Sequence, residues 1–148
     1  MKTLNNFNGV MEILSSLHSS SISRLLQSWG PIPKSIMEKF EEMTELMTPN
    51  DNFRRYREAN RKLSPSLPHL ALWLQDLVFI YDGNPDNLEN SIINFEKCRM
   101  VAKRIQDFED CLALPYKMEG NPSIRQSLVG NEVWDENDVY RMYVQEIS

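Results

Sequence analysis

The chain has 148 residues, 41% hydrophobic and 25% charged, so its composition fits one folded domain and shows no excess of charge that would indicate disorder. Its formal net charge of −5 argues against a nucleic-acid partner, because such binding draws most of its affinity from clustered Lys and Arg that neutralise phosphates. No stretch approaches the roughly 18 uninterrupted apolar residues of a membrane span, and the N-terminus lacks the apolar run of a signal peptide. The sequence therefore predicts a cytoplasmic protein without direct membrane insertion.

Helical spacing of apolar residues recurs along the chain, and β-branched residues nowhere alternate with polar ones over the length of a strand. The first helix is predicted from Gly9 to Leu17 and ends at the serines of residues 19–21, whose hydroxyls can cap a second helix carrying Ile22 to Trp29. Pro33 suits the first turn of a third helix, in which Ile36, Met37, Phe40, Met43 and Met47 recur at helical spacing. Its methionines and Phe40 are expected in the core. A short basic helix is predicted after Asp51.

The two longest elements are predicted to form a helical hairpin over about residues 69–112. An apolar helix is expected at His69 to Tyr81, followed by a sharp acidic turn, Asp82-Gly83-Asn84-Pro85. A second helix of some seven turns is expected from Asn87, with Phe95 among its apolar core positions. Its basic residues are expected to face solvent: Lys97, Arg99, Lys103 and Arg104. Cys98 and Cys111 lie ~20 Å apart on this helix at ~1.5 Å per residue, too far for a disulfide.

The last part of the chain is predicted to be a loop with one short turn and then a final helix. The loop contains Gly120, Pro122 and Gly130, and Asp135 is expected to cap the helix that follows. Together these elements predict an all-α fold, an irregular helical bundle with a protruding helical hairpin.

Few residues could support catalysis. With two histidines, no metal-type spacing of Cys and His, and no glycine-rich phosphate loop, the sequence predicts no covalent catalyst, metal site or cofactor. His18 beside the serines fits either a Ser-His pair or a turn of capping hydroxyls, and the turn is favoured. The acidic run Glu41, Glu42 and Glu45 is expected to be solvated. Asp82, beside Gly83, is either a turn-forming residue or a carboxylate presented outward.

Five short motifs, taken in order and spacing, resemble a known family. They are Asn6-Phe7-Asn8-Gly9-Val10-Met11-Glu12-Ile13, Leu17-His18-Ser19-Ser20-Ser21-Ile22-Ser23-Arg24-Leu25, Asn52-Phe53-Arg54-Arg55-Tyr56-Arg57, Asp82-Gly83-Asn84-Pro85 and Ile93-Asn94-Phe95. The family they resemble is the catalytic domain of Ras-family guanine nucleotide exchange factors. The resemblance covers nearly the whole chain but only the later part of that domain, so roughly the first third, the helices before the first motif, is expected to be absent.

The resemblance implies a domain that acts on a small GTPase without covalent catalysis. In that family a helical hairpin pushes aside the first switch segment of the GTPase, and a bowl-shaped helical core grips the second. It implies a wedge acid at Asp82, which competes for groups that hold the nucleotide phosphate, and an apolar wedge residue at Val78, near the magnesium ion. The implied catalytic set is Gln75, Val78, Asp82 and Asn84, and the implied GTPase contacts are Met11, His18, Ser20, Asn52, Phe53 and His69. The family usually has Asn where His18 stands and often Glu where Asp82 stands.

Three functions are compatible with these observations. The leading hypothesis is an exchange factor, or part of one, that releases GDP from a Ras-, Rap- or Ral-type GTPase and is recruited to membranes by flanking domains. The alternative is a truncated, catalytically inactive helical module that binds a small GTPase or another signalling protein. A helical scaffold unrelated to GTPases is disfavoured by the five motifs in register.

Overall fold

Helices make up most of the backbone in the computed structural model, which describes residues 2–61, 64–131 and 133–147. Within these segments there is no β-strand, only two isolated bridges, Asn6 with Leu67 and Asn87 with Ile93. The prediction of an all-α fold is confirmed. The helices are α1 (Phe7–Leu17), α2 (Ser20–Ser23), α3 (Leu26–Trp29), α4 (Lys34–Leu46), α5 (Asn50–Asn60), α6 (Leu70–Gly83), α7 (Phe95–Leu112), α8 (Pro122–Gly130) and α9 (Glu136–Ile147), with 3₁₀ helices at Lys2–Leu4 and Glu89–Ser91.

The buried core lies where α1, α5, the end of α4 and the start of α6 meet. Its buried apolar residues are Phe7, Val10, Leu14, Met47, Tyr56 and Leu72. The predicted core positions Phe40 and Met43 pack against this cluster and are partly buried. Phe95 was predicted to join the core, and this is wrong: 77% of its surface is exposed, because it is the first residue of α7.

The serine-rich segment departs from the predicted capped helix. Ser19 precedes α2, but its side chain forms no capping hydrogen bond. A single helix through Trp29 is also wrong, since α2 ends at Ser23 and α3 begins at Leu26. The Trp29 indole Nε1 donates to the Ile22 carbonyl at 2.8 Å, a contact that folds the two short helices together.

The boundaries of the two long helices also differ from the prediction. Asp82 and Gly83 belong to the last turn of α6, so the turn begins at Asn84. The second helix begins at Phe95 and not at Asn87, because the loop before it pairs with itself. Its backbone bonds are Leu88 N to Ile92 O at 2.7 Å and Asn94 N to Asp86 O at 2.8 Å. These bonds occupy groups that a helix would use, and so Leu88 and Ile92 are exposed loop residues.

Helices α6 and α7 pack side by side and run antiparallel. Near the first turn of α6 the Trp73 Nε1 donates to the Arg104 carbonyl at 3.1 Å, and the Trp73 ring lies 4.6 Å from that of Phe108. Near the other end the Lys97 Nζ donates to the Tyr81 carbonyl at 2.8 Å. Early residues of α6 thus contact late residues of α7, and late residues of α6 contact early residues of α7, as in an antiparallel pair. That this pair protrudes as a hairpin stays a prediction.

The segment around Gly120, Pro122 and Gly130, predicted as a loop with one short turn, contains the nine-residue α8. The sequence did carry a signal for its start, because Asn is a preferred capping residue and Pro122 follows at the first helical position. The Asn121 Oδ1 accepts from Ser123 N at 3.0 Å and from Ile124 N at 3.3 Å. The predicted cap of α9 is confirmed, since Asp135 Oδ1 accepts from Asp138 N at 2.8 Å.

Two smaller predictions can be compared with the described residues. Cys98 and Cys111 are both free thiols, the first exposed and the second buried. Among the helices in the described part of the chain, none combines the length and the apolar character required to cross a membrane.

Candidate functional site

One half of the α6 surface faces solvent, although the helix is mostly apolar. Helix positions three, four and seven apart share a face. On this basis the exposed half, called the outer face of α6 below, consists of Leu70, Leu74, Gln75, Val78, Phe79, Tyr81 and Asp82. Leu72 and Asp76 lie on the packed half. The helix thus presents most of its large apolar side chains outward and a carboxylate inward.

Val78 and Asp82 lie one turn apart near the C-terminal end of the outer face. Val78 is 53% exposed, and Asp82 is exposed as well. Among the described residues none forms a hydrogen bond or an ion pair with the Asp82 carboxylate. Gln75 is on the same face, but Asn84 is partly buried and its Nδ2 donates to the Ile80 carbonyl at 2.9 Å. The structure therefore brings three of the four predicted catalytic residues onto one surface, while Asn84 closes the end of the helix.

Asp76 anchors the packed half of α6 between two arginines. Arg57 of α5 donates from Nη1 and Nη2 to the two carboxylate oxygens at 2.7 and 2.9 Å, and Arg104 of α7 lies within 2.6 Å of Oδ2. The Asp76 side chain is 18% exposed. Its hydrogen bonds raise the pKa of the Arg57 guanidinium. The prediction that Arg104 faces solvent is wrong, because this carboxylate binds it in the interface.

Lys97 also contradicts the prediction of a solvated basic face. Its exposed fraction is 7%, whereas Arg99 and Lys103 are exposed as predicted. The Lys97 ammonium donates to the Tyr81 carbonyl at 2.8 Å and to Asp86 Oδ1 at 2.7 Å, and it lies 4.0 Å from the centroid of the Tyr81 ring. The loop that follows α6 covers this lysine, and helix periodicity alone could not indicate that cover.

Asn52 and Phe53 lie in an unusual first turn of α5. Their φ values are 55° and 56°, in the left-handed region that Asn tolerates and Phe rarely adopts. Phe53 packs against the core, and Arg57 donates to the Asn52 carbonyl at 2.8 Å and to its Oδ1 at 3.1 Å. Because the same guanidinium binds Asp76, Arg57 connects this predicted contact segment to α6.

His18 lines an open cleft between α4 and the start of α5, with a volume of ≈ 560 Å³. Its Nδ1 lies 2.9 Å from the Leu14 carbonyl and its ring 5.2 Å from that of Phe40. Ser20 is exposed on α2 outside this cleft, whereas Met11 packs against the core and is partly buried. That Met11, His18 and Ser20 contact a GTPase stays a prediction.

His69 is the residue immediately before α6. Its backbone N–H donates to the Tyr56 hydroxyl at 2.9 Å, which attaches the start of the helix to the core. Burial lowers the pKa of its imidazole, and the buried Nδ1 has no hydrogen-bond partner among the described residues. His69 thus holds the start of α6, at the opposite end from Asp82.

Residues 1–99 match the family model of the RasGEF domain. The chain belongs to the RasGEF domain family. It is 41% identical over 119 residues to Ras guanine nucleotide exchange factor P of Dictyostelium discoideum, a match that covers 80% of this chain and 8% of that protein. It is 36% identical over 146 residues to cyclic GMP-binding protein D of the same organism, covering 95% and 11%. It is 32% identical over 141 residues to Ras-specific guanine nucleotide-releasing factor 2 of Danio rerio, covering 94% and 11%.

These matches confirm the predicted resemblance to the RasGEF family. The chain spans between 8% and 12% of the length of the curated relatives named above and of a mouse relative, Ras-specific guanine nucleotide-releasing factor 2. The RasGEF match ends within α7, so it includes the outer face of α6, Asp76 and Lys97. That the chain is the later part of the domain stays a prediction.

The sequence reasoning missed the two charged groups that fix α6 within this RasGEF chain, Asp76 and Lys97. A signal for Asp76 was present, because a lone carboxylate in the middle of an apolar helix requires a partner when that side of the helix packs. For Lys97 the only sequence signal was its place three residues after Asn94, whose side chain caps α7. That spacing puts Lys97 in the first turn of the helix, next to the preceding loop. Within the described residues no group of three or more His, Cys, Asp or Glu side chains could hold a metal ion.

Proposed function

We propose that this chain promotes GDP release from a Ras-family small GTPase, using the outer face of α6 near the nucleotide site. The observation that carries the proposal is the placement of Val78 and Asp82 on one exposed surface, with no internal partner for the carboxylate among the described residues. Membership of the RasGEF family and relatives named as Ras exchange factors support it. A cytoplasmic location is part of the proposal.

The chemistry of these two side chains suits displacement of a nucleotide, and it requires no covalent catalyst. A carboxylate brought close to a phosphate site repels the phosphate and competes for the groups that bind it. An apolar side chain near the magnesium site excludes the ion whose charge neutralises the phosphates. Both effects weaken nucleotide binding without a bond being made or broken in the exchange factor.

The energetics require a firmly held helix. A ligand shifts an equilibrium only by its differential affinity, so the exchange factor must bind the nucleotide-free GTPase more tightly than the loaded form. An acceleration of 10³ to 10⁵ corresponds to ~4–7 kcal/mol off the barrier to release, at about 1.36 kcal/mol per decade. Two side chains supply this only if α6 resists displacement, and the Asp76 ion pairs and the His69–Tyr56 bond provide such resistance.

The proposal is tested by measuring release of fluorescent GDP from a panel of Ras, Rap and Ral proteins. Asp82→Ala should slow release at least tenfold while leaving the thermal midpoint of the chain unchanged, because the carboxylate has no partner within the described residues. Val78→Ala should slow release too, with little loss of stability since the side chain is half exposed. Asp107→Ala is the matched control, because it removes an α7 carboxylate whose partner is the exposed Lys103.

Two outcomes would contradict the proposal. Equal losses of release and of stability in Asp82→Ala would assign that residue to folding. Tight binding of a GTPase without faster release would favour the alternative, a helical module that binds the GTPase through the apolar side chains of the outer face and leaves its nucleotide in place.

A further inference from the structure

We propose that Lys97 is a positioning residue that fixes the end of α6 and so sets the place of Asp82, an inference that rests on the proposed exchange function. Lys97 is on α7, yet its ammonium binds groups on both sides of Asp82: the Tyr81 carbonyl before it and the Asp86 carboxylate after it. Lys97 can therefore fix the backbone on both sides of Asp82 without contacting residues 82–85 themselves.

The geometry constrains Asp82 directly. The carbonyl of Tyr81 belongs to the peptide group whose nitrogen is that of Asp82, and its bond to Nζ measures 2.8 Å. The Lys97 ammonium also lies 4.0 Å from the centroid of the Tyr81 ring, and this cation–π contact is a second interaction that holds Tyr81. Rotation of the last helical turn would break both contacts, and so the direction of the Asp82 side chain depends on them.

Asn94 closes the same loop from the other side. Its Nδ2 donates to the Pro85 carbonyl at 2.9 Å, and its Oδ1 accepts from Lys97 N at 3.2 Å. The side chain of Asn94 is buried. Lys97 and Asn94 therefore tie residues 81, 85 and 86 to the first turn of α7, and the Asp82 carboxylate, on the last turn of α6, faces solvent.

Burial explains why Lys97 acts through Asp82 and not by touching a partner. A buried ammonium is costly unless it is paired and hydrogen-bonded, which here it is on two sides. With 7% of its surface exposed, the side chain offers almost nothing to a second protein. Asp86 is different, since 68% of its side chain is exposed and it can be hydrated if the lysine is removed.

Lys97→Met tests this role because it keeps a long apolar stem and leaves no unpaired buried charge. Lys103→Met is the control: it removes the same charge from the same helix, where the side chain is 70% exposed. In the full chain, Lys97→Met removes two charge-assisted hydrogen bonds. It should speed amide hydrogen exchange over residues 82–94 by at least roughly tenfold, the effect expected for loss of a single such bond. Amides at the start of α6 and in the control should keep their rates.

GDP release from a Ras-family GTPase then separates positioning from general stability. Lys97→Met should lower the maximal release rate at saturating chain by at least tenfold, while the half-saturating concentration changes by less than roughly threefold, because binding surface is retained. In an Asp82→Ala background, Lys97→Met should have almost no further effect on release, since the two residues act as one unit.

Each measurement has an outcome that overturns the inference. Unchanged exchange at residues 82–94 would show that Lys97 does not hold the loop. Independent, multiplicative losses in the double variant would show that it does not act through Asp82. If the unmodified chain releases no GDP from any GTPase in the panel, the proposed function fails, and with it the role in exchange, whereas the hydrogen-exchange result still decides whether Lys97 holds the loop.

Discussion

Replacing Asp76 with Asn should destabilise the protein strongly, although the two side chains have nearly the same shape. Asp76 receives three charge-assisted contacts of 2.6 to 2.9 Å from Arg57 and Arg104. Each such bond contributes roughly 1.5–3 kcal/mol when well buried. The amide retains some hydrogen bonding but not the charge, and it leaves two partly buried guanidinium groups without a counter-ion.

The expected size of the effect follows from the exposure of the network. The side chains of Asp76, Arg57 and Arg104 are 18%, 21% and 25% exposed. Hydration of the two arginines in the variant therefore compensates for part of the lost interaction energy. Removing one partner of a fully buried ion pair costs roughly 3–5 kcal/mol. We therefore expect Asp76→Asn to lower the free energy of unfolding by about 3 kcal/mol, at the low end of that range. At roughly 2–4 °C per kcal/mol for a chain of this size, the thermal midpoint falls by about 6–12 °C.

Urea and thermal unfolding followed by far-ultraviolet circular dichroism measure this change. Glu96→Gln is the matched control, because its partner Arg99 is exposed and such pairs contribute little. If the Asp76→Asn midpoint moves no further than that of the control, the arginine–carboxylate network does not hold α6, and the rigidity required of the proposed wedge must come from elsewhere.

Three further outcomes are expected. Asn94→Ala should cost ~1–2 kcal/mol in urea unfolding, because it removes the cap of α7 and the bond to the Pro85 carbonyl; a cost equal to that of an exposed Asn would contradict this. Burial lowers the pKa of His69, so as the pH falls the unfolded chain binds a proton before the folded chain does. The free energy of unfolding should therefore have its full value above about pH 6.5 and decrease as the pH falls from there through the lower pKa of the folded state. His69→Gln should flatten that part of the urea-midpoint profile, and an unaltered slope would assign it to other groups. Under native conditions iodoacetamide should alkylate the exposed Cys98 and spare the buried Cys111, as mass spectrometry can show; equal rates would mean that the core opens readily.

The sequence was sufficient for the fold class and for most helices, because apolar spacing and capping residues are local signals. Asp135 shows this, since its carboxylate caps α9 as predicted. The start of α7 could not be predicted in the same way: Leu88 and Ile92 have helical spacing, yet Asn94 pairs with Asp86 across the loop, and the helix begins only at Phe95. That pairing depends on residues brought together in space.

In the candidate site, too, some features could be predicted from the sequence, and others depend on contacts between distant residues. Val78 was identified from a family resemblance alone, and Asp82 from the resemblance and from its predicted place in a sharp turn after an apolar helix. The structure places both on an exposed face. The orientation of Lys97 and Arg104 depends instead on Asp86 and Asp76, which belong to other elements. A helical wheel drawn for α7 alone assigns both cations to solvent, since it contains no information about neighbouring segments.

Ion pairs between side chains hold the packed half of α6 in place. The stability of the fold therefore depends little on which side chains occupy the opposite, exposed half. Leu74, Val78 and Phe79 each keep about half of their surface in water, so they add little to stability. Substitutions at these positions can alter the shape and polarity of the proposed contact surface at small cost in folding stability. A domain arranged in this way can change its partner preference through a few side chains, with no compensating change in its interior.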